Sequence, residues 1–515
     1  MIKLNEQGKV LFLGAISLVL GVAFVFLFYK QGLGLNYSLF ITGVAAVGLL
    51  LARVFSRRLE REQYVVITAG VFFSIMVFVR SSELLTFFNI LGSVLLLLVA
   101  VKMFAGGRLR TFVAGDYLKV LFLPFSFIGP FFETFPAIVS LKKVPGGDSR
   151  RKEIIRGSLM SVVALAIFAL LFASADAGFE KLFSNIFSFK IDEDLARRTI
   201  LGSFVTAFFI GAFAFMFNKL HTAPAPLPEG KARNLGEIET MILLGSINAL
   251  FLVFILLQVS YLFGGVPHLI EEGLTYADYA REGFFQLVVV AILSFLIITF
   301  SERQIVQNNG EHVRSFKIFS GVLVIQVIVI LVSAFSRLSL YENAYGFTDT
   351  RLYSHAFMIW LGVVLLLLSV HIWKNEKRTE FSFRTFCTVI ILLFFMNILN
   401  PDAFIAKKNL DRYRSTGLLD AAYLGSLSDD ALPYTISLLD DPKEEVNKSF
   451  ARGLYWKEYW DGDCDSGDCP SVRRGSWQSL RWNSSRAEEL LAPRRNTLEE
   501  NKGWFKRSAN GTANE

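Results

Sequence analysis

The stretch "FLPFSFIGPFFETFP", residues 122–136, is apolar enough to enter a bilayer, yet it carries three prolines six residues apart and one carboxylate. Whether it crosses or turns back decides on which side every later loop lies. Proline removes a backbone donor and clashes with the preceding turn. Pro124, Pro130 and Pro136, together with Gly129, therefore break a helix repeatedly. Broken backbone at membrane depth survives only where protein or a water-filled cavity satisfies it. The reading is a re-entrant or strongly kinked element over 118–140, buried among other helices; a kinked but complete span is the alternative.

The surrounding chain sets the class. Of its 515 residues 53% are hydrophobic and only 19% charged, against roughly a quarter charged in a soluble protein. The charges are bunched between long apolar runs, and runs near 20 residues are what a hydrocarbon core of roughly 30 Å demands of a helix. Spans are expected near 10–29, 37–54, 63–79, 84–103, 156–175, 199–217, 238–262, 283–301, 316–334, 352–373 and 383–399. The fold class is all-α: a polytopic transmembrane helix bundle of about 11 spans plus the Pro-broken segment, with a small helical tail. The first run lacks a small-x-small cleavage site and reads as a retained span.

Loop charge then judges the broken segment, because cytoplasmic loops carry the excess Lys and Arg. If 118–140 does not cross and the N-terminus is cytoplasmic, the inside loops hold 26 Lys and Arg and the outside loops 9. If it crosses, the totals become 17 and 18, with no bias at all. The non-crossing arrangement is expected, with a cytoplasmic N-terminus and an extracytoplasmic C-terminus.

This arrangement divides the chain into an N-terminal membrane half (1–220), a Pro-rich cytoplasmic linker (221–236), a C-terminal membrane half (237–399) and an extracytoplasmic helical tail (400–515). Short helices are expected in the tail at 402–413, 429–439 and 443–460. The membrane part holds 35 Lys and Arg against 26 Asp and Glu, and the tail 17 against 19. The net charge of +7 thus lies in the loops between spans, and no basic patch with interleaved aromatics points to nucleic acid. In the tail, Cys464 and Cys469 are spaced for a tight disulfide loop, which persists only in an oxidising compartment. The alternating acids of 461–465 lack the glycine and terminal Glu of a calcium loop. Neither a metal nor a cofactor is implied, and no catalytic residue can be named, since zinc, nucleophile-elbow and phosphate-loop motifs are all missing.

Polar candidates lie elsewhere. Glu133 is the only acidic residue well inside an apolar segment, where a carboxylate is costly and a functional-site hypothesis by default. Asn248, Gln258, Gln286, Gln326 and Asn397 read as interhelical hydrogen-bond glue. Three polar-aromatic stretches share the outer side: "GLTYADYAREGFFQL" (273–287), "NAYGFTDTRLYSHAF" (343–357), and 400–433, which contains "NPDAFIAKKNLDRY" and "LLDAAYLGSLSDDALP". Thr275 with Asp278 resembles a capping box, and Thr348 is expected to cap the helix that Asp349 opens. Asp278, Arg281, Glu282, Asp349, Arg351 and His355 are the candidate outer-face site, with interface anchoring as the alternative.

These stretches resemble the signatures of bacterial polytopic membrane proteins grouped as domain of unknown function 4173, related to family 4153. The resemblance covers about 160 residues and implies an inner-membrane protein without an assigned active site. The bilayer is the one partner the sequence names; a membrane or extracytoplasmic protein partner is left open. The function read from these features is a non-enzymatic sensor, assembly or regulatory module with a polar outer face. The alternative is a transporter or channel using 118–140 and Glu133, and a membrane enzyme without a recognisable motif comes third.

Overall fold

The computed structural model describes residues 6–139, 193–217, 237–263, 284–304, 314–460 and 476–494. Among them there is no strand, and eleven helical stretches are long and apolar enough to cross a membrane. The protein is an all-α, multi-pass membrane protein. Large apolar side chains such as Val22, Phe26, Leu250, Ile325 and Ile391 point outward, as lipid requires and water would penalise. The expected span at 156–175, the linker 221–236 and both cysteines of the predicted disulfide lie outside the described residues.

In chain order the helices are α1 (Glu6–Phe28), α2 (Leu35–Val54), α3 (Arg61–Val79) and α4 (Glu83–Phe104). A broken stretch follows: α5 (Ala114–Lys119), a 3-10 segment (Val120–Phe127) and α6 (Ile128–Val139). Then come α7 (Glu193–Phe217), α8 (Glu237–Phe263), α9 (Phe284–Gln304), α10 (Arg314–Tyr345), α11 (Asp349–Lys374) and α12 (Arg378–Leu399). We call the end of the bundle that carries Glu6 the near end and the opposite one the far end. Lys9 sits over the Phe55 ring just past α2, and Phe55 stacks on Phe217 of α7, so all three mark the near end. Tyr29 donates to Asp194 at 2.8 Å, which puts the start of α7 at the far end.

The contacts of 114–139 show what its prolines do. Tyr117 stacks on Phe386 of α12, one turn beyond Phe383, which carries Arg110 of the near-end loop. The chain then rises in 3-10 form through Pro124 to Phe127, whose carbonyl lies against Gly211. Gly211 is six residues above Phe217, or about 9 Å by helix rise. Eleven residues later the Ile138 side chain rests on Gly14 of α1, only about 8 Å above Lys9. Both ends of the segment therefore pack toward the near end, although its length and composition would suffice for a crossing.

Three large apolar clusters organise the interior, with a small fourth around Tyr37, Ile41 and Val77. The first joins α1 to α7 and also takes in Phe383, Phe386, Ile390 and Leu393 of α12. The second joins α8 to α11. Polar side chains cross-link these helices: Asn248 donates to the Phe319 carbonyl at 3.1 Å, and Gln326 donates to the Asn248 carbonyl at 3.1 Å. Asn89 of α4 and Asn397 of α12 exchange two amide hydrogen bonds, at 2.9 and 2.7 Å. Both are buried, so Asn89→Leu leaves half of one amide unsatisfied. Its expected cost is about 1–2 kcal/mol, read as a lowered thermal midpoint in detergent; an unchanged midpoint would count against the pair.

The third cluster is the tail, seated on the far end. Asn400 takes a left-handed conformation (φ 54°) and Pro401 follows, so α12 stops and α13 (Pro401–Thr416) leaves in a new direction. The tail continues with α14 (Ala421–Ser426), α15 (Leu432–Thr435), a 3-10 turn (Ile436–Asp440), α16 (Glu444–Trp460) and α17 (Trp482–Leu491). Before α17, the stretch 476–481 runs along the α1–α2 loop. Leu35 N–H donates to the Leu480 carbonyl at 2.9 Å, and Arg481 donates to the Leu33 carbonyl at 3.1 Å. A Cβ at Gly34 would stand 2.5 Å from that same Leu480 carbonyl, so only glycine permits the approach.

Candidate functional site

Two of the polar stretches singled out in the sequence meet at the far end. The α10–α11 turn needs Gly346 at φ +86°, and Asn409 of α13 clamps the residue after it. Its amide accepts from Phe347 N–H at 2.9 Å and donates to the Phe347 carbonyl at 2.8 Å. Arg412 adds a bond to the Asn343 carbonyl at 3.2 Å. Of the first stretch, 273–287, the candidates Asp278, Arg281 and Glu282 lie outside the described residues.

The remaining predicted residues divide. Arg351 lies 4.0 Å over the Tyr341 ring and donates to the Gly346 carbonyl, so it braces the turn. His355 is buried, with Nδ1 3.3 Å from Glu342 and its ring 4.2 Å from that of Phe335. Both residues face α10, a turn apart. The expected Thr348 cap is not made: its hydroxyl bonds no helix amide, and the Asp349 N–H instead donates to the Tyr423 hydroxyl at 3.0 Å. Glu133 is exposed on α6, far from this end. Two acids the sequence reading passed over are buried at helix ends: Glu342, and Glu302 beside His371 (3.1 Å) and Arg378 (3.3 Å).

Asp349 belongs to a different group. It shares the far end with Asp402 of α13 and Asp430 before α15, and the three carboxyls are provided for very unequally. Asp430, 2% exposed, is saturated. Its Oδ1 accepts from Ser81 N–H at 3.2 Å, Ser81 Oγ at 2.9 Å and the Asn483 amide. With the Asn400 amide oriented to suit both its neighbours, Asn400 donates to Asp430 Oδ2 at 3.2 Å and accepts from Arg80 at 2.7 Å. Asp430 thereby ties the α3–α4 turn to α17 across the chain.

Asp402, 4% exposed, has far less. Ser428 N–H donates to its Oδ2 at 3.1 Å, while Oδ1 has no donor. Asp349 receives the Tyr423 hydroxyl on Oδ2 at 3.3 Å, and its Oδ1 is likewise without one. The two side chains lie within hydrogen-bonding reach of each other. Two buried carboxylates this close cannot both ionise cheaply, and one proton held between them satisfies both. Burial first, and then the charge of Asp349, push Asp402 up to about 7. Burial and the same Asp349 charge also raise the Tyr423 phenol. The hydroxyls of Tyr353 and Ser428 are buried nearby without partners that meet hydrogen-bond geometry.

Asp349, Tyr353, Asp402 and Ser428 line a cleft of about 1320 Å³ between the α1–α2 loop, the α3–α4 turn, the start of α11 and the tail. Asp349, Tyr353 and Asp402 form one wall; Ser82, Ser426, Ser428, Ser476, Ser479 and Ser484 give the rest a hydroxyl-rich character. The cations at its rim are engaged: Lys457 pairs with Asp429, Lys30 with Asp194 at 2.7 Å, and Arg481 with the Leu33 carbonyl. A carboxyl pair so placed can hold a proton, exchange it for a cation, or work as acid and base on a water. Among the described residues no group of three or more His, Cys, Asp or Glu is arranged to hold a metal.

Each of these residues lies in a motif already quoted, Asp349 and Tyr353 in 343–357 and Asp402 and Ser428, with the nearby Tyr423, in 400–433. The signal was present as motif, but not as a reason to prefer these side chains. Comparison with known proteins finds no curated protein and no solved structure that matches the chain. A family model does match over residues 67–438, from α3 through the 3-10 turn that follows α15, and the chain belongs to that family, described only as a domain of unknown function, DUF4153.

Proposed function

We propose that this is a bacterial inner-membrane module that works at its far face, outside the cytoplasm, as a sensor or regulator rather than by covalent chemistry. The observation that carries the reading is the seating of the tail: polar bonds hold it over a cleft in which two buried carboxyl oxygens lack donors. A saturated interface would be a rigid cap. An undersupplied one has a reason to respond when a proton or ligand arrives. The loop charges, 26 against 9, support a cytoplasmic near end, and the four motifs support a place beside the related family 4173.

Transport is the second reading, favoured by the near-end packing of both ends of 114–139, since discontinuous segments build substrate sites in many transporters. The exposure of Glu133 and the position of the cleft at the opposite end weigh against it.

Fusion of an alkaline phosphatase reporter after residue 400 should give full activity, and fusions within 142–152 none. Activity from the second set would overturn both the orientation and the re-entrant reading. Potential-driven acidification in proteoliposomes, followed with an entrapped pH dye, would favour transport.

A further inference from the structure

The geometry points to a primary ammonium group as the ligand of the far-end cleft, seated between Asp349 and Asp402 with Tyr353 or Ser428 taking its third N–H. The inference rests on the reading of this face as the working one, and it names the chemistry that the face recognises.

Three features carry it. First, an –NH₃⁺ offers three donors and no acceptor, and the wall offers a matching set of buried acceptors without donors: Asp349 Oδ1, Asp402 Oδ1, and the hydroxyl oxygens of Tyr353 and Ser428. Asp349 and Tyr353 stand one turn apart on α11, so both project to one side. Second, the nearby charges leave the pair without a cation of its own. Arg80 bonds the Asn397 carbonyl and the Asn400 amide through two of its nitrogens and Lys457 pairs with Asp429, so neither makes an ion pair with Asp349 or Asp402. Third, Asp430 is excluded from the ligand set because Ser81, Asn483 and Asn400 already occupy its oxygens. Of the other lining acids, Asp429 is paired with Lys457 and Glu83 is exposed; two buried carboxyls remain, too few for a calcium ion with six to eight oxygen ligands, but matched to one ammonium replacing one shared proton.

The hydroxyl-rich remainder of the cleft suits a small polar body, such as an amino alcohol or amino sugar. The same ammonium could reach the cleft on a free solute or on the headgroup of an ethanolamine lipid. The exchange is balanced: below pH 7 ammonium binds as the proton held by the pair leaves to water, and above it ammonium binds the pair already ionised. The groups facing the pair are Tyr353 on α11, Tyr423 on α14, and Ser428 with Asp430 on the loop after it. Burial and the Asp349 charge move Asp402 into the neutral range, so proton and ammonium compete below pH 7.

The test uses the full chain in lipid-free detergent, with unfolding followed by tryptophan fluorescence and ethanolamine hydrochloride as probe, at constant ionic strength. At pH 8 the midpoint should rise saturably with ethanolamine. The half-saturating concentration should grow by about fivefold between pH 7 and pH 6, as one competing proton titrating near 7 requires. Tetramethylammonium, which has no N–H, should do nothing. Asp402→Asn should abolish the response, and Tyr353→Phe, which leaves both carboxyls in place, should weaken it several-fold. In nanodiscs, a higher midpoint with phosphatidylethanolamine than with phosphatidylglycerol alone, before any amine is added, would assign the ligand to the lipid; equal midpoints would assign it to a free solute. An equal rise with tetramethylammonium or sodium, an undiminished response in Asp402→Asn, or no saturable rise overturns the ammonium site. That failure leaves the orientation standing if the phosphatase fusions behave as expected, whereas inactive fusions after 400 with intact ethanolamine binding would sink the outer-face reading and keep the site.

Discussion

Asp402→Asn should stabilise the protein above neutrality by about 4 kcal/mol and remove most of the fall in stability between pH 4 and pH 7. The sign follows from proton binding. In the unfolded chain Asp402 titrates near its ordinary value, about 3.9, whereas in the folded protein it is pushed up to about 7. Between those values the folded state holds a proton that the unfolded state has released. Stability therefore falls as pH rises through this window, by about 1.4 kcal/mol per unit, and levels off above pH 7. Asparagine carries no charge to desolvate and can still accept the Ser428 amide. Thermal midpoints of the wild type and the variant should coincide near pH 4 and diverge steadily toward pH 8. A variant less stable than wild type at pH 8 would show that Asp402 is ionised and compensated, and the shared-proton account would fail.

Gly453→Ala should cost about 3 kcal/mol and release the tail without disturbing the membrane helices. The α14 and α16 axes cross where Gly425 and Gly453 touch, and Phe450, fully buried, fills the space beside them. A Cβ at Gly453 would stand 2.1 Å from the Ala422 carbonyl oxygen and 2.9 Å from the Gly425 Cα. Both obstacles are backbone, so no rotamer change relieves them and the helices must separate. That places the cost at the upper end of overpacking effects, plus the exposure of Phe450. Limited proteolysis should cut the variant within 401–494 while 6–139 stays protected. Wild-type resistance would mean that the crossing is looser than the contact implies.

Much of this architecture was legible in the chain. Membrane spans are read well because the bilayer, and not a partner helix, dictates their length and apolarity. The junction at Asn400 and Pro401 was equally plain, since a proline after a left-handed residue has to end the span; α13 begins one residue from where it was expected. The expected helix at 429–439 resolves into α15 and a 3-10 turn, because Asp429 and Asp430 are drawn off to Lys457, Ser81 and Asn483. Those partners are distant in sequence and invisible to a local reading. The outer-face site shows the same limit. Arg351 and His355 do share a helix face, as their spacing implied, but they face α10. Asp402 sat unremarked in the first turn of a helix, where an acid is ordinarily a solvated complement to the dipole. What sets it apart is burial under Ser428, 26 residues away, and the proximity of Asp349 on another helix.

The bonds between the α1–α2 loop and the stretch 476–481 bear on the order of assembly during synthesis. Gln31 and Ser476, which meet in the finished protein, are separated by 445 residues. At ribosomal speeds of about 5–20 residues per second, the first hairpin is finished roughly 20 to 90 s before the stretch that docks on it is made. The loop can wait because it braces itself: Asn36 donates to the Leu27 and Gly32 carbonyls and accepts from Gly34 N–H, at 2.9, 2.8 and 2.9 Å. The stretch 476–481 thus finds its seat on an early hairpin already shaped, and completing the far face requires that every described span be made first.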